Sequence, residues 1–478
     1  MRPEPDTLVV GAGTAGCVVA ARLSADPAHA VLVLEAGPVW ATPAQAPPGL
    51  LDAATLPLDP GAPWLRHYQA VLGHADGAPV AATLVRGAVL GGSGAVNGAY
   101  FIRPPASDLA AWCARLGDDG WGAAALAPTF AAIEHDLDFG AAPYHGTAGP
   151  IPVRRPATPD DPFTTAAVAA GLPAVPDWNA PDAPATGVGP VPCSLDGSLR
   201  ADTGSRYLLP ALGRPNLTLR GGTAVTRLVV ERGRVAGVRT ETGVIRAGRV
   251  VLCAGAIESA ALLLRSGIGP PDELRAAGIE PVLAAPVGRH CADHPEIGLD
   301  YRTSAGRAGA VALETVLELD GVEVRPYALE FARGVRRIGV ALMRPATTGT
   351  LRVRAADPRI PPVIEHNHLA AAADRRQLAD GLGTAAELLS RMAGVAAAVH
   401  PPAAAGLPGI LTTSQHLAGS CRMGRPGDNG AVVDRMGRLY GLDDLWIADL
   451  SIVPVPLSRG PQAMVVTLAE RIASGMRG

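Results

Sequence analysis

The stretch Asp6–Gly37 reads DTLVVGAGTAGCVVAARLSADPAHAVLVLEAG. Leu8-Val9-Val10 is an apolar run of the kind that forms a buried strand. Gly11-Ala12-Gly13-Thr14-Ala15-Gly16 follows as a G-x-G-x-x-G, and a helix with Ala and Val on its packing face runs to about Leu23. A second apolar run, Val31–Leu34, ends in Glu35. Strand, glycines, helix, strand and acid in this order form a β-α-β unit with a dinucleotide fingerprint. Gly11 permits the tight turn, Gly13 lets the backbone approach a pyrophosphate, and Gly16 lets helix and strand pack closely. The helix N-terminus offers N–H donors and a positive dipole to the phosphates. Glu35 stands where a carboxylate accepts hydrogen bonds from the adenosine ribose, and a ligand-free turn would not require it.

The rest of the chain bounds what surrounds this unit. Its 478 residues suffice for two or three domains, and 48% hydrophobic residues supply a large core. A formal net charge of −3 gives no electrostatic case for nucleic acid. All 41 basic residues are arginine, which excludes a Walker lysine and a Schiff-base lysine, hence P-loop and pyridoxal chemistry. Cysteines 17, 113, 193, 253, 291 and 421 form no C-x-x-C and have no zinc spacing, so no metal is expected. They read as reduced thiols of a cytoplasmic protein. The first strand begins too early to leave room for a signal peptide. The most apolar window, Val250–Leu264, is interrupted by Glu258 and too short to span a bilayer. A soluble protein is expected, with peripheral membrane contact left open.

Pro38–Pro63 reads as a Pro-rich surface excursion. Val85–Gly98 then carries five glycines in fourteen residues, a density that serves backbone packed on a flat ligand better than helix or strand. A helix is expected from Ser107 to Leu116. Leu217–Val238 alternates apolar and polar residues around a Gly turn, a hairpin-like pattern. Arg249–Cys253, closed by Ala254-Gly255, reads as a buried strand returning to the first sheet. Tyr327–Phe331 and Leu351–Val353 are strand-like, and Leu369–Met392 is helix-like.

Several motifs together resemble the glucose–methanol–choline (GMC) oxidoreductases. RGAVLGGSGAVNGAYFIRPPASDLAAW, from Arg86, resembles the first signature of that family. Gly120-Trp121, Tyr144–Pro150 and Ser205–Leu208 follow in the family's order. Leu252–Ser259 with Ser266–Pro270 resembles the second signature, and Val287–Pro295 resembles VGxNLxDHP. The match covers nearly the whole chain. It implies an α/β fold, a Rossmann-like FAD-binding domain with an interleaved α+β substrate domain. The FAD-binding parts would be 1–150, 205–295 and 406–478, and the substrate domain 151–204 and 296–405. At this length the substrate domain looks trimmed. The implied FAD site comprises Gly11, Gly13, Thr14, Ala15, Gly16, Glu35, Ala36, Arg86, Gly92, Ser93, Asn97, Gly98, Ala99, Val225, Ala254, Gly255, Asp449, Leu450, Gln462 and Ala463. Val225 would lie beside the adenine, and Asn97 and Gly98 near the flavin N5 edge. Val96 stands where some relatives join a histidine to the flavin; valine cannot, so the FAD is expected to be non-covalent.

The same resemblance assigns the chemistry to the C-terminal stretch. His416–Gly424, HLAGSCRMG, is similar to the family's HxxGTCRMG. Alcohol oxidation needs a proton acceptor near neutral pH alongside hydride transfer to flavin N5, and imidazole has the suitable unperturbed pKa. His416 matches the catalytic histidine. His145 and His294 also sit in family motifs, at positions read as structural. The family's second His or Asn falls on Gly460, which has no side chain to offer; Arg459 or Gln462 would have to substitute. Short length, Gly460 and the lysine-free composition resemble the branch associated with the redox cofactor mycofactocin. That branch implies reduced mycofactocin as donor and electrons passed toward the respiratory chain. The alternatives are an ordinary alcohol dehydrogenase or oxidase acting on a small alcohol, and a non-redox lyase such as a hydroxynitrile lyase. A vestigial flavin-binding protein would not need His416, and a nicotinamide enzyme would not need the C-terminal signature.

Overall fold

The computed structural model describes residues 4–156, 161–303, 309–392, 394–395 and 404–477. Parts of the expected substrate domain (157–160, 304–308, 393 and 396–403) lie outside these. At the centre is a five-stranded parallel sheet. Its strands run Leu217–Arg220, Val31–Leu34, Thr7–Val10, Arg249–Leu252, Leu445–Ile447 in spatial order. Every residue of Thr7–Val10 and Val31–Leu34 is buried, as expected for continuous apolar strands covered on both faces. The chain leaves the first strand through Gly11, enters the helix Thr14–Leu23, and returns on one side as Val31–Leu34. On the other side lies Arg249–Leu252. The order therefore reverses beside the glycine turn, which is where doubly wound sheets open a crevice. The final helix, Gln462–Arg477, packs along Thr14–Leu23, and Arg22 pairs with Glu470 at 2.8 Å.

A second sheet is antiparallel and six-stranded, in the order Thr412–Thr413, Pro295–Arg302, Val335–Leu342, Val322–Pro326, Thr315–Leu319, Thr186–Pro190. The helix Ala372–Arg391 covers it with Leu378, Leu382, Ala385 and Leu389, a stripe at helical spacing that packs on Val322, Val324 and Val340. A third sheet joins the long hairpin Leu65–Ala75 and Ala78–Gly87 to Val363–Glu365 and Thr350–Arg352. Strands from both sides of residue 295 thus share sheets, and Thr412–Thr413 joins the antiparallel sheet from within the stretch 406–478.

Several local expectations shift. Leu217–Val238 divides in two: Leu217–Arg220 joins the parallel sheet, and Val225–Glu231 forms a hairpin with Arg234–Thr240. Arg232 and Gly233 both have positive φ in its turn, the backbone twist that two-residue hairpins favour. The strand near Tyr327 is Val322–Pro326, ending where Tyr327–Phe331 was expected to form it. Pro38–Pro63 is not purely superficial, since Trp40, Leu50, Leu51 and Ala53 are buried. Among the described residues no helix is long and apolar enough to cross a membrane, and all six cysteines are free.

Candidate active site

A cavity of about 500 Å³ opens at the C-terminal ends of the parallel strands. Its floor is the glycine turn. Gly11 has φ +97°, and a Cβ there would lie 2.6 Å from the Cys253 carbonyl oxygen. A Cβ on Gly16 would come within 1.9 Å of the Gly11 oxygen, so Gly16 allows the helix onto its own turn. The second glycine loop lies directly over the first: Gly91 donates from N to Ala12 O at 2.8 Å, and Gly92, at φ +58°, abuts Gly13. Glu35 closes this end while almost wholly buried. Its Oε2 accepts from Ala12 N and its Oε1 from Gly37 N, each at 2.8 Å. Two carboxylate oxygens have more lone pairs than these donors use, leaving acceptor capacity for ribose hydroxyls. Asp449 is likewise buried and takes Gly255 N at 2.9 Å, Ser259 Oγ at 2.5 Å and Ser451 N at 2.9 Å. Burial pushes both carboxyl groups above the ordinary carboxylate range.

The cavity wall brings together Gly11, Gly13, Thr14, Ala15, Glu35, Ala36, Arg86, Gly92, Ser93, Asn97, Gly98, Val225, Ala254, Gly255, Asp449, Leu450, Gln462 and His416. Val96 lines it as well. Three expected residues do not. Gly16 lies behind the turn, Ala99 is buried in a separate apolar cluster with Ile102 and Cys193, and Ala463 is buried inside the last helix. The cradle fits FAD on its own geometry: glycine backbone at Gly11, Gly16 and Gly92 where a Cβ would intrude, a helix N-terminus, and a buried acid at the end of the second strand.

The far end of the cavity is built on the antiparallel sheet. His416 lies there, on a loop anchored to Asp293. His416 N donates to Asp293 Oδ1 at 2.7 Å and Thr413 Oγ1 to Asp293 Oδ2 at 2.6 Å. His294 is not merely structural: its Nδ1 sits 2.9 Å from His416 Nδ1. A neutral imidazole carries one N–H, so one ring donates and the other accepts. In the tautomer in which His294 Nδ1 accepts, the one that the Leu457 backbone beside the His294 ring favours, His416 donates from Nδ1 and keeps a free lone pair on Nε2. Burial first, then His294 and Arg325, holds the His416 pKa well below the ordinary histidine value. His416 is therefore neutral and able to receive a proton.

Sequence reading missed the residues that face His416. Glu323 and Arg325, two apart on one strand, share a face. Arg325 donates to Glu323 Oε2 at 2.5 and 2.8 Å, to Glu296 Oε2 at 2.8 Å and to Ser414 Oγ at 2.7 Å. Tyr327 donates to Glu296 Oε1 at 3.0 Å. Gly460 faces the ring of Tyr100: a Cβ there would lie 2.4 Å from Tyr100 Cδ1. The Tyr100 hydroxyl donates to Glu323 Oε1 at 3.3 Å. Of the two substitutes expected for the missing histidine, Arg459 points away. It ion-pairs with Glu318 at 2.7 Å and lines a second cavity of about 300 Å³. Gln462 accepts from Thr14 Oγ1 at 3.3 Å, across the glycine turn. Tyr100, Tyr327, Arg325 and Glu296 thus line a polar chamber ending in a neutral imidazole, with Glu323, which lines the second cavity, bracing Arg325; the arrangement is suited to holding a hydroxylated substrate and taking its proton.

Comparison with known proteins places this geometry. The family profile for GMC oxidoreductase matches residues 5–296 and, through its C-terminal counterpart, 345–469. A GMC-type oxidoreductase of Rhodococcus erythropolis, from the thcA 5′ region, is 39% identical over 99% of this chain and 98% of its own. The 5-(hydroxymethyl)furfural oxidase of a Methylovorus strain is 34% identical over 98% of each chain. The crystal structure of pyridoxine 4-oxidase from Mesorbium loti superposes with a TM-score of 0.91 at 29% identity, covering 99% of both chains. The chain belongs to the GMC oxidoreductases, FAD-dependent enzymes that act on CH–OH groups.

Proposed function

We propose that this enzyme oxidises a primary alcohol borne on a small polar ring, with His416 as the base. The observation that carries the reading is the junction of the glycine cradle and the polar chamber in one cavity, with His416 Nε2 unclaimed at their meeting point. FAD, when bound in the cradle, supplies the hydride acceptor. Gly11, Gly13, Thr14 and Ala15 would hold its pyrophosphate, Glu35 the ribose, and Asn97 and Gly98 the flavin edge. The substrate hydroxyl gives its proton to His416, and the protein holds that proton through His294, whose Nδ1 accepts from His416. Tyr100, Tyr327 and Arg325 orient the polar substituents of the ring and exclude water around it. The relatives named for 5-(hydroxymethyl)furfural and pyridoxine point the same way, since both compounds are hydroxymethyl groups on polar rings. The parallel sheet and its cavity wall serve the cofactor, and the six-stranded sheet serves the substrate. In this reading the expected cofactor parts 1–150, 205–295 and 406–478 and substrate parts 151–204 and 296–405 meet within shared sheets, since Thr412–Thr413 joins the six-stranded sheet.

Reduced mycofactocin is the second donor, favoured by the departure at Gly460; electrons would then pass toward the respiratory chain. The test is anaerobic. Holoenzyme is mixed separately with hydroxymethyl furans and pyridines, with simple aliphatic alcohols and with reduced mycofactocin, and flavin absorbance is followed. Bleaching by the ring-borne alcohols is expected. Bleaching by mycofactocin alone selects the second donor, and cyanohydrin cleavage without any bleaching overturns both. In His416→Ala, FAD is retained and flavin reduction slows by about 10²–10⁴-fold, the usual worth of a general base. Near-normal reduction in that variant removes His416 from the mechanism.

A further inference from the structure

We propose a second site, a divalent transition-metal site of the zinc class, formed by Asp293, His366 and His368 behind His416. The three side chains are buried, and one potential ligand atom from each lies within 4.8 Å of the others. Asp293 Oδ2 is 3.6 Å from His366 Nε2. The two imidazoles stack nearly parallel, centroids 4.8 Å apart and planes 3° from one another. None of their four ring nitrogens has a hydrogen-bond partner among the described residues. Each unpaired buried polar group costs about 1–3 kcal/mol, so leaving four together is an improbable way to fill a core. A shared ligand resolves this, because neutral imidazole and carboxylate are the donors that zinc-class ions take.

The backbone builds the site in advance. His366 and His368 flank Asn367, whose φ of +57° ends the extended run of Val363–Glu365, and the two rings are stacked on each other across it. Their backbone N–H groups donate to Val71 O at 2.8 Å and Leu72 O at 2.7 Å in the neighbouring strand. Gly73 makes room for this approach, since a Cβ there would lie 2.6 Å from the His368 carbonyl oxygen. Asp293 Oδ1 is taken by His294 N and His416 N, and Oδ2 by Thr413 Oγ1, which leaves Oδ2 one more lone pair for an ion. Two imidazole nitrogens and one carboxylate oxygen make a donor set that selects zinc-class ions over magnesium or calcium, which take oxygen ligands. The other comparable cluster, Glu134, Asp136 and His145, already has its cations: Arg103 and Arg155 pair with it at 2.6 and 2.9 Å.

The ion would clamp the carboxylate that anchors the His416 loop, so it positions the base without touching substrate. The test uses FAD-loaded protein dialysed against chelator and then against zinc. Elemental analysis should give about one zinc per chain in wild type. His368→Phe, which keeps a stacked ring, and His366→Phe should each lose at least tenfold in zinc retained while keeping one FAD per chain. X-ray absorption at the zinc edge, which needs no variant, should show nitrogen and oxygen at about 2.0–2.2 Å and no sulfur. No saturable zinc in wild type, equal zinc in the histidine variants, or a sulfur-containing shell would each overturn the site; equal retention would mean an adventitious ion only.

Discussion

A side chain at position 460 would collide with Tyr100, and this contact defines the substrate end of the cavity more sharply than any charge. Gly460→Ala places a methyl 2.4 Å from an aromatic carbon, and overpacking of this kind costs about 1–3 kcal/mol. The variant should melt earlier and reduce its flavin more slowly. Trimming the ring with Tyr100→Ala should restore part of the loss in the double variant, because the two changes share one space. Additive losses in stopped-flow reduction and melting would show that the contact is not limiting. Gly11→Ala should be more severe. It combines a positive φ with a 2.6 Å approach to a backbone oxygen, and its readout is loss of bound FAD from purified protein. These residues differ in how legible they were. Gly11, Glu35 and His416 lie in contiguous motifs, where spacing along the chain stands in for spacing in space. Tyr100 and Gly460 meet across 360 residues, and Glu296 meets Arg325 only through the register of their two strands on Val335–Leu342, which lies between them. No local pattern announces such pairs. His366-Asn367-His368 was readable as a dyad, but its partner Asp293 was hidden in a motif with another reading.

At the scale of elements, the short strand Glu134–Asp136 is held to the loop at His145 and the turn at Asp177 by a buried charge cluster. His145 Nδ1 lies 2.5 Å from Glu134 and Nε2 2.8 Å from Asp177. Burial alone would lower the His145 pKa, but the hydrogen bonds from Asp177 and Glu134 outweigh it and push it up to about 9. Asp177 is held down to about 2, where burial is outweighed by His145 and Arg155. An unfolded histidine titrates near about 6.5 and an unfolded aspartate near about 3.9. The histidine's contribution is thus complete below its unfolded pKa and is lost as pH rises through 9. The aspartate's is present above its unfolded pKa and is lost as pH falls through 2. Urea unfolding should give greatest stability from this cluster between about pH 4 and 6.5, with a decline on either side. His145→Gln should cost on the order of 3 kcal/mol at neutral pH, because it leaves buried carboxylates short of a cation. It should also flatten the alkaline decline; an unchanged slope would mean that other groups govern it. The elements themselves were more legible than their joints. The helix Ala372–Arg391 announced itself by periodicity, whereas the strand Val322–Pro326 contains Glu323 and Arg325 facing inward, which blurred its apolar signal and displaced the expected strand to Tyr327.

For the whole molecule, the flavin behaves as a removable part of the core. Val96 lines the cavity and has no nucleophilic atom to form a bond with the flavin ring. Acid or heat denaturation should release all the flavin into the supernatant, and colour remaining in the precipitate would contradict this. Because FAD binds the folded chain, removing it should lower the melting temperature, and added FAD should restore it in proportion to the logarithm of its concentration. The architecture was legible at this scale because the β-α-β unit and the returning strand Arg249–Leu252 prescribe one parallel sheet. The pairing of the hairpin Leu65–Gly87 with Val363–Glu365 was not, since it depends on long-range register.

The spatial order of that parallel sheet also sets a constraint during synthesis. One edge is the strand Leu445–Ile447, and Gln462 meets Thr14 across 448 positions of sequence. The nascent first unit, with its glycine turn formed, waits for residues translated more than 400 positions later before its helix is covered. At about 5–20 residues per second that interval lasts tens of seconds in a bacterial-to-eukaryotic range of elongation rates. Cofactor capture consequently waits for the helix at Gln462, and the half-made sheet is the species that a chaperone would have to guard.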